Sequence, residues 1–76
     1  MYTVNIVVKW TNGDHEGFGA SALTAKHARE RAINKAYRKS GFLTNPGFDV
    51  LSKAEYDALP IETQDEIQSD WDQELL

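Results

Sequence analysis

The chain predicts a small α+β domain of order ββαβαα: an antiparallel sheet built from an N-terminal hairpin and a short third strand, packed by helices. Three observations carry this reading. Residues 2–10 alternate with period two, residues 25–40 place small side chains at helical spacing, and residues 52–74 carry a capping signature followed by a second helical stripe. At 76 residues the chain is a single domain, 1–76.

Tyr2, Val4, Ile6, Val8 and Trp10 alternate with Thr3, Asn5, Val7 and Lys9, the pattern of a half-buried strand. Asn12-Gly13 is a hairpin signal, since both residues tolerate the positive φ of a type I′ turn. The return strand is expected from His15 to about Ala22. A two-residue turn pairs Lys9 with Glu16, Val7 with Phe18, Val8 with Gly17 and Ile6 with Gly19. On that register the two glycines leave a trough on the face of Tyr2, Ile6 and Trp10, where a helix can approach closely.

The first helix, about 25–40, is expected to fill that trough. Thr24 is its N-cap, with Leu23 stapled onto Ala28. Ala25, Ala28, Ala32 and Ala36 form a narrow stripe flanked by Ile33 and Tyr37. Gly41 is the expected terminator. Asn45-Pro46-Gly47 reads as a turn and Phe48 to Leu51 as a third strand at the sheet edge. Ser52 and Glu55 frame a capping box, opening a short helix to Leu59 with Leu51 stapled to Tyr56. Pro60 kinks that helix or opens the last one, about Ile61 to Glu74. All helices are expected on one face of the sheet.

Composition narrows the function classes. A hydrophobic fraction of 41% argues for a folded chain. No apolar run approaches the ~20 residues of a membrane span, and Met1 leads directly into a strand pattern, so the expected location is the cytoplasm. With no cysteine, disulfides and thiolate zinc sites are excluded. His15 and His27 stand far apart and lack triad or metal-ligand spacing, so neither a metal nor a cofactor is expected. A core this small is marginal, and homodimerisation is the aid that remains open to it.

No catalytic constellation is present. Asp70-Trp71-Asp72-Gln73-Glu74 lacks the glycine of a calcium loop. Nothing around Asp57, Glu62, Asp65 and Glu66 suggests the apolar pocket that raises a carboxyl pKa for acid catalysis. The expectation is a non-enzymatic binder.

Charge is the most directional feature. Residues 1–53 carry eight Lys and Arg against four acids, a formal +4; residues 54–76 carry eight acids and no Lys or Arg, a formal −8. In the last helix Glu62, Asp65, Glu66, Asp70, Asp72 and Glu74 fall on one arc of about 200° at 100° per residue. Ile67, Trp71 and Leu75 fall opposite, as its anchor. Six charges over about 18 Å give one per ~3 Å, close to the ~3.4 Å between phosphates along one DNA strand. Like charges at i,i+4 weaken a helix by a few tenths of a kcal/mol each, so intrinsic helix stability does not account for them. The arc therefore reads as a phosphate substitute for a cationic groove on a nucleic-acid-binding protein.

Two plainer readings stand beside it: a solvated acidic face, or an acidic helix lying against the basic first helix. Arg31, Lys35 and Arg38 share one flank of that first helix, with His27 nearby. They define a secondary basic patch and an alternative function, direct binding of DNA or RNA. A third alternative is a dimeric assembly module, with an exposed aromatic among Trp10, Phe42 and Phe48 as its anchor.

The combination of a short cysteine-free α+β chain, no catalytic constellation and a concentrated acidic face resembles small phage-encoded anti-CRISPR inhibitors. That resemblance implies a host CRISPR-Cas effector as partner and the host bacterial cytoplasm as location. No defining motif is shared, so no residue role transfers. The opening strand, turn, strand and alanine-rich helix is also similar to HicB-type antitoxin domains, which normally carry a further strand before the helix.

Overall fold

The computed structural model describes residues 1–42 and 47–74, the side chains of Phe42 and Glu74 excepted. Strands β1 (Tyr2–Trp10) and β2 (His15–Ala22) form the hairpin. Helix α1 (Ala25–Phe42), strand β3 (Phe48–Val50), and helices α2 (Lys53–Asp57) and α3 (Ile61–Glu74) follow. The sheet is antiparallel with strand order β2-β1-β3. The order ββαβαα is as the periodicity predicts.

The hairpin register is one residue away from the expected one. Lys9 pairs with His15, Val7 with Gly17, Ile6 with Phe18 and Asn5 with Gly19. The cause is the turn. Gly13 N–H donates to Trp10 C=O at 2.9 Å, Trp10 N–H donates to Asp14 C=O at 2.8 Å, and Gly13 has φ 94°. This is a three-residue loop closed by a left-handed glycine, not a two-residue type I′ turn. Asn12 reinforces it by accepting the Asp14 N–H on its own side chain at 2.9 Å.

A one-residue slip turns every β2 side chain to the other face. Phe18 joins Ile6, Val8 and Trp10 against Ala32 and Ala36 of α1, with Phe48 and Val50 of β3 at the margin. Trp10 sits edge-on to Phe18 and Phe48 at 6.3 and 5.4 Å. Gly17 and Gly19 face the opposite side, and α3 occupies that side. The helices therefore cover both faces of the sheet, and the glycine trough holds α3 rather than α1.

The α3 seat is specific. A Cβ at Gly17 would stand 2.6 Å from Trp71 Nε1 and 2.9 Å from the Ile67 carbonyl. Trp71 Nε1–H donates to Ile6 C=O at 3.0 Å, and Ile67 is fully buried. Trp71 also packs on Tyr56 with ring centroids 5.4 Å apart.

Other boundaries differ in detail. Thr24 caps α1 by accepting the His27 N–H at 3.2 Å, but Leu23 is 79% exposed and covers nothing on Ala28. Gly41 stays helical and α1 runs on to Phe42. Gly47 takes a positive φ of 67°, as the turn requires; Asn45 and Pro46 lie outside the described residues. The Ser52–Glu55 capping box forms as expected, yet α2 ends at Asp57. There the Gln64 side chain reaches back and donates to the carbonyls of Leu59, Asp57 and Tyr56 at 3.0, 3.2 and 3.3 Å. Pro60 precedes α3, and its carbonyl accepts the Gln64 N–H at 3.0 Å.

Candidate interaction surface

The α3 arc divides into two kinds of carboxylate. Glu62, Asp65, Glu66 and Asp72 are exposed. Asp72 accepts a hydrogen bond from Gln68 Nε2 at 3.1 Å on the same helix. Asp70 is half-buried, and its Oδ2 accepts the Gly17 N–H at 3.0 Å. Asp70 therefore ties α3 to the edge of β2 and leaves the expected outward ridge. The Glu74 side chain and Leu75 lie outside the described residues.

Charge neutralisation within the molecule goes elsewhere. Among the described residues the ion pairs are Lys39–Glu16 at 2.6 Å and Lys53–Asp57 at 2.9 Å. The two long helices lie on opposite faces of the sheet, so the cations of α1 do not lie along the outer face of α3. Glu66 lines an open cleft with His15, Glu16 and Lys39. Lys39 is already held by Glu16, whose other oxygen accepts Trp10 Nε1–H at 3.3 Å.

The expected basic patch is largely occupied by the fold. Arg31 Nη1 donates to Ser21 C=O at 3.1 Å, and Lys35 Nζ donates to Gly19 C=O at 2.6 Å. These are outward groups of β2, an edge strand, so α1 and α3 seal that edge from both sides with Arg31, Lys35 and Asp70. Arg31, Lys35 and Arg38 still line one shallow depression with Asn34. Its first two cations are engaged with backbone carbonyls.

Sequence reasoning missed two features of this surface. One is the structural duty of Asp70, for which its helical angle, well inside the acidic arc, gives no signal. The other is a cleft of about 570 Å³ beside Asn5, Leu51, Tyr56 and Trp71 where β3 departs from β1. Along its rim the Ser52 N–H donates to Glu55 Oε1 at 3.0 Å, holding that carboxyl below the usual Glu range; the Ser52 hydroxyl acts in the same direction.

Among the described residues no group of His, Asp and Glu is placed to hold a metal ion, and no helix is long and apolar enough to cross a membrane. No protein family, no curated protein and no solved structure matches the chain.

Proposed function

We propose that this protein is a non-enzymatic inhibitor that places the outer face of α3 in a cationic, nucleic-acid-binding groove of a partner protein. One observation carries the reading: Glu62, Asp65 and Glu66 are exposed, and none forms an ion pair or side-chain hydrogen bond with a described residue. Asp72 extends the same face by a further turn and a half. A rigid helix holding unneutralised carboxylates offers a cationic groove the charge it meets on a phosphate backbone, without the cost of ordering a flexible tail. The resemblance to anti-CRISPR inhibitors makes a CRISPR-Cas effector the first partner to test.

Retention on such a partner weakens as salt rises, because exposed charge pairs are screened beyond roughly 8–10 Å at physiological ionic strength. The test uses the protein immobilised, a bacterial lysate passed over it, and a salt gradient for elution. The expected result is recovery of a nucleic-acid-binding protein that loses its DNA or RNA as the free inhibitor is titrated in. The triple variant Glu62→Lys, Asp65→Lys, Glu66→Lys should fold and lose both retention and displacement. A folded triple variant that keeps either one refutes the proposal. Direct retention of nucleic acid by the wild-type chain would move the function to the α1 flank.

A further inference from the structure

The two edges of the sheet are treated differently. The β2 edge is sealed by Arg31, Lys35 and Asp70. The opposite side of β1 is covered only in part, because β3 pairs with Val8, Lys9 and Trp10 and its flanking residues reach no further than Val7 and Thr11. Leu51 N–H donates to Val7 C=O at 2.9 Å, which fixes Val7 as pointing to the β3 side. Strand alternation then turns the N–H and C=O of Asn5 and Thr3 to that side as well. Among the described residues neither has a backbone partner there.

The usual devices that blunt an edge are missing at this one. Residues 1–6 contain no charged side chain and no proline. Met1 and Tyr2, 89% and 58% exposed, continue the edge, and the 570 Å³ cleft opens beside it.

We infer that this open edge joins two copies of the chain as a symmetric dimer, β1 pairing antiparallel with the partner's β1 about Val4. The pattern is self-complementary. Centred on Val4, Thr3 stands opposite the partner's Asn5 and Asn5 opposite the partner's Thr3. All four outward groups on each strand are then satisfied. Tyr2 meets the partner's Ile6, and Val4 meets its own copy, apolar cross-strand pairs that favour the sheet. Side chains without charge along residues 1–6 suit a second copy of the same strand.

The exposed start of β1 supports the same occupant. A stable interface takes roughly 800 Å² from each partner, and five paired residues alone fall short of it. The two-fold places the partner's Tyr2 opposite Ile6, at the mouth of the cleft where Leu51 takes over the outward side of Val7. Met1 and Tyr2 are 89% and 58% exposed, so covering them in both copies adds apolar area to that of the paired strands. Closed two-fold pairing also uses up this edge in both copies, so it does not propagate.

Sedimentation equilibrium over the micromolar range, with hydrogen exchange on the same samples, tests this. The wild-type chain should be a dimer at the upper end, with Thr3 and Asn5 amides protected in a concentration-dependent way. Thr3→Pro removes an outward donor from each strand and leaves the β1–β2 ladder its hydrogen bonds. Two lost hydrogen bonds per dimer should weaken association about tenfold or more. Tyr2→Lys, which sets a charge opposite the partner's Ile6, should do the same without touching the backbone. A chain that stays monomeric at high micromolar concentration overturns the inference. So does a dimer that neither variant weakens, or one whose Thr3 and Asn5 amides exchange freely.

Discussion

Gly17→Ala adds one methyl group where α3 lies directly against β2. The new Cβ would lie 2.6 Å from Trp71 Nε1, 2.8 Å from Trp71 Cδ1 and 2.9 Å from the Ile67 carbonyl. An indole ring can swing, but the Ile67 carbonyl belongs to the helix backbone, so α3 itself must lift. Overpacking of this kind costs about 1–3 kcal/mol. Lifting α3 also strains the bond from Trp71 to Ile6 C=O, which contributes on the order of 1 kcal/mol. A destabilisation of about 2–4 kcal/mol follows, a large share of what a domain this small commands. With 4–8 °C per kcal/mol for a domain of this size, the melting point should fall by roughly 10–30 °C. The assay is thermal and urea unfolding by circular dichroism. Gly41→Ala is the control, because a Cβ there meets nothing within 4 Å and the residue is helical. It should raise stability by up to about 1 kcal/mol. If Gly17→Ala melts within about 0.5 kcal/mol of the parent, the scale of an ordinary surface change, α3 does not sit over Gly17 as described.

Asp70→Ala leaves the Gly17 N–H without its acceptor and should cost about 1–2 kcal/mol, whereas Asp65→Ala should change stability by less than about 0.5 kcal/mol; urea titrations of the two variants side by side distinguish a structural from a surface carboxylate. Glu55 has a folded-state pKa below its unfolded value, so its contribution is present above the unfolded pKa and is lost as pH falls through the folded one. An NMR titration should therefore show the Glu55 carboxyl shifting at lower pH than an ordinary Glu, with the Ser52 amide resonance moving in step; a midpoint at or above the ordinary value refutes the capping-box account.

The elements were legible because each has a local cause. Period-two alternation drew β1, the alanine spacing drew α1, and Ser52 with Glu55 located the start of α2. What stayed hidden depends on one residue of register. Asn12-Gly13 satisfies either a two-residue turn or a longer loop closed by Gly13, and only the hydrogen bonds of Trp10 separate them. The choice decides which face the two glycines serve, and hence where α3 docks. A clue was present in Ile6, Val7 and Val8: three consecutive buried residues belong to a strand covered on both faces, not one. The acidic arc was legible as an arc. Its division was not, because helical angle alone cannot reveal that Asp70 finds a backbone donor 53 positions earlier.

The placement of α3 has a consequence for how the chain reaches its native state. The hairpin and α1 are neighbours along the sequence and can assemble from short-range contacts. The second layer waits on pairings 53 and 65 residues apart, Gly17 with Asp70 and Ile6 with Trp71. Such distant closures are entropically slow to nucleate. During synthesis, the face of Val7, Gly17 and Gly19 stays wet until Ile67 and Trp71 have left the ribosome. Substitutions at those two late-docking side chains should accordingly accelerate unfolding while leaving the refolding rate nearly untouched.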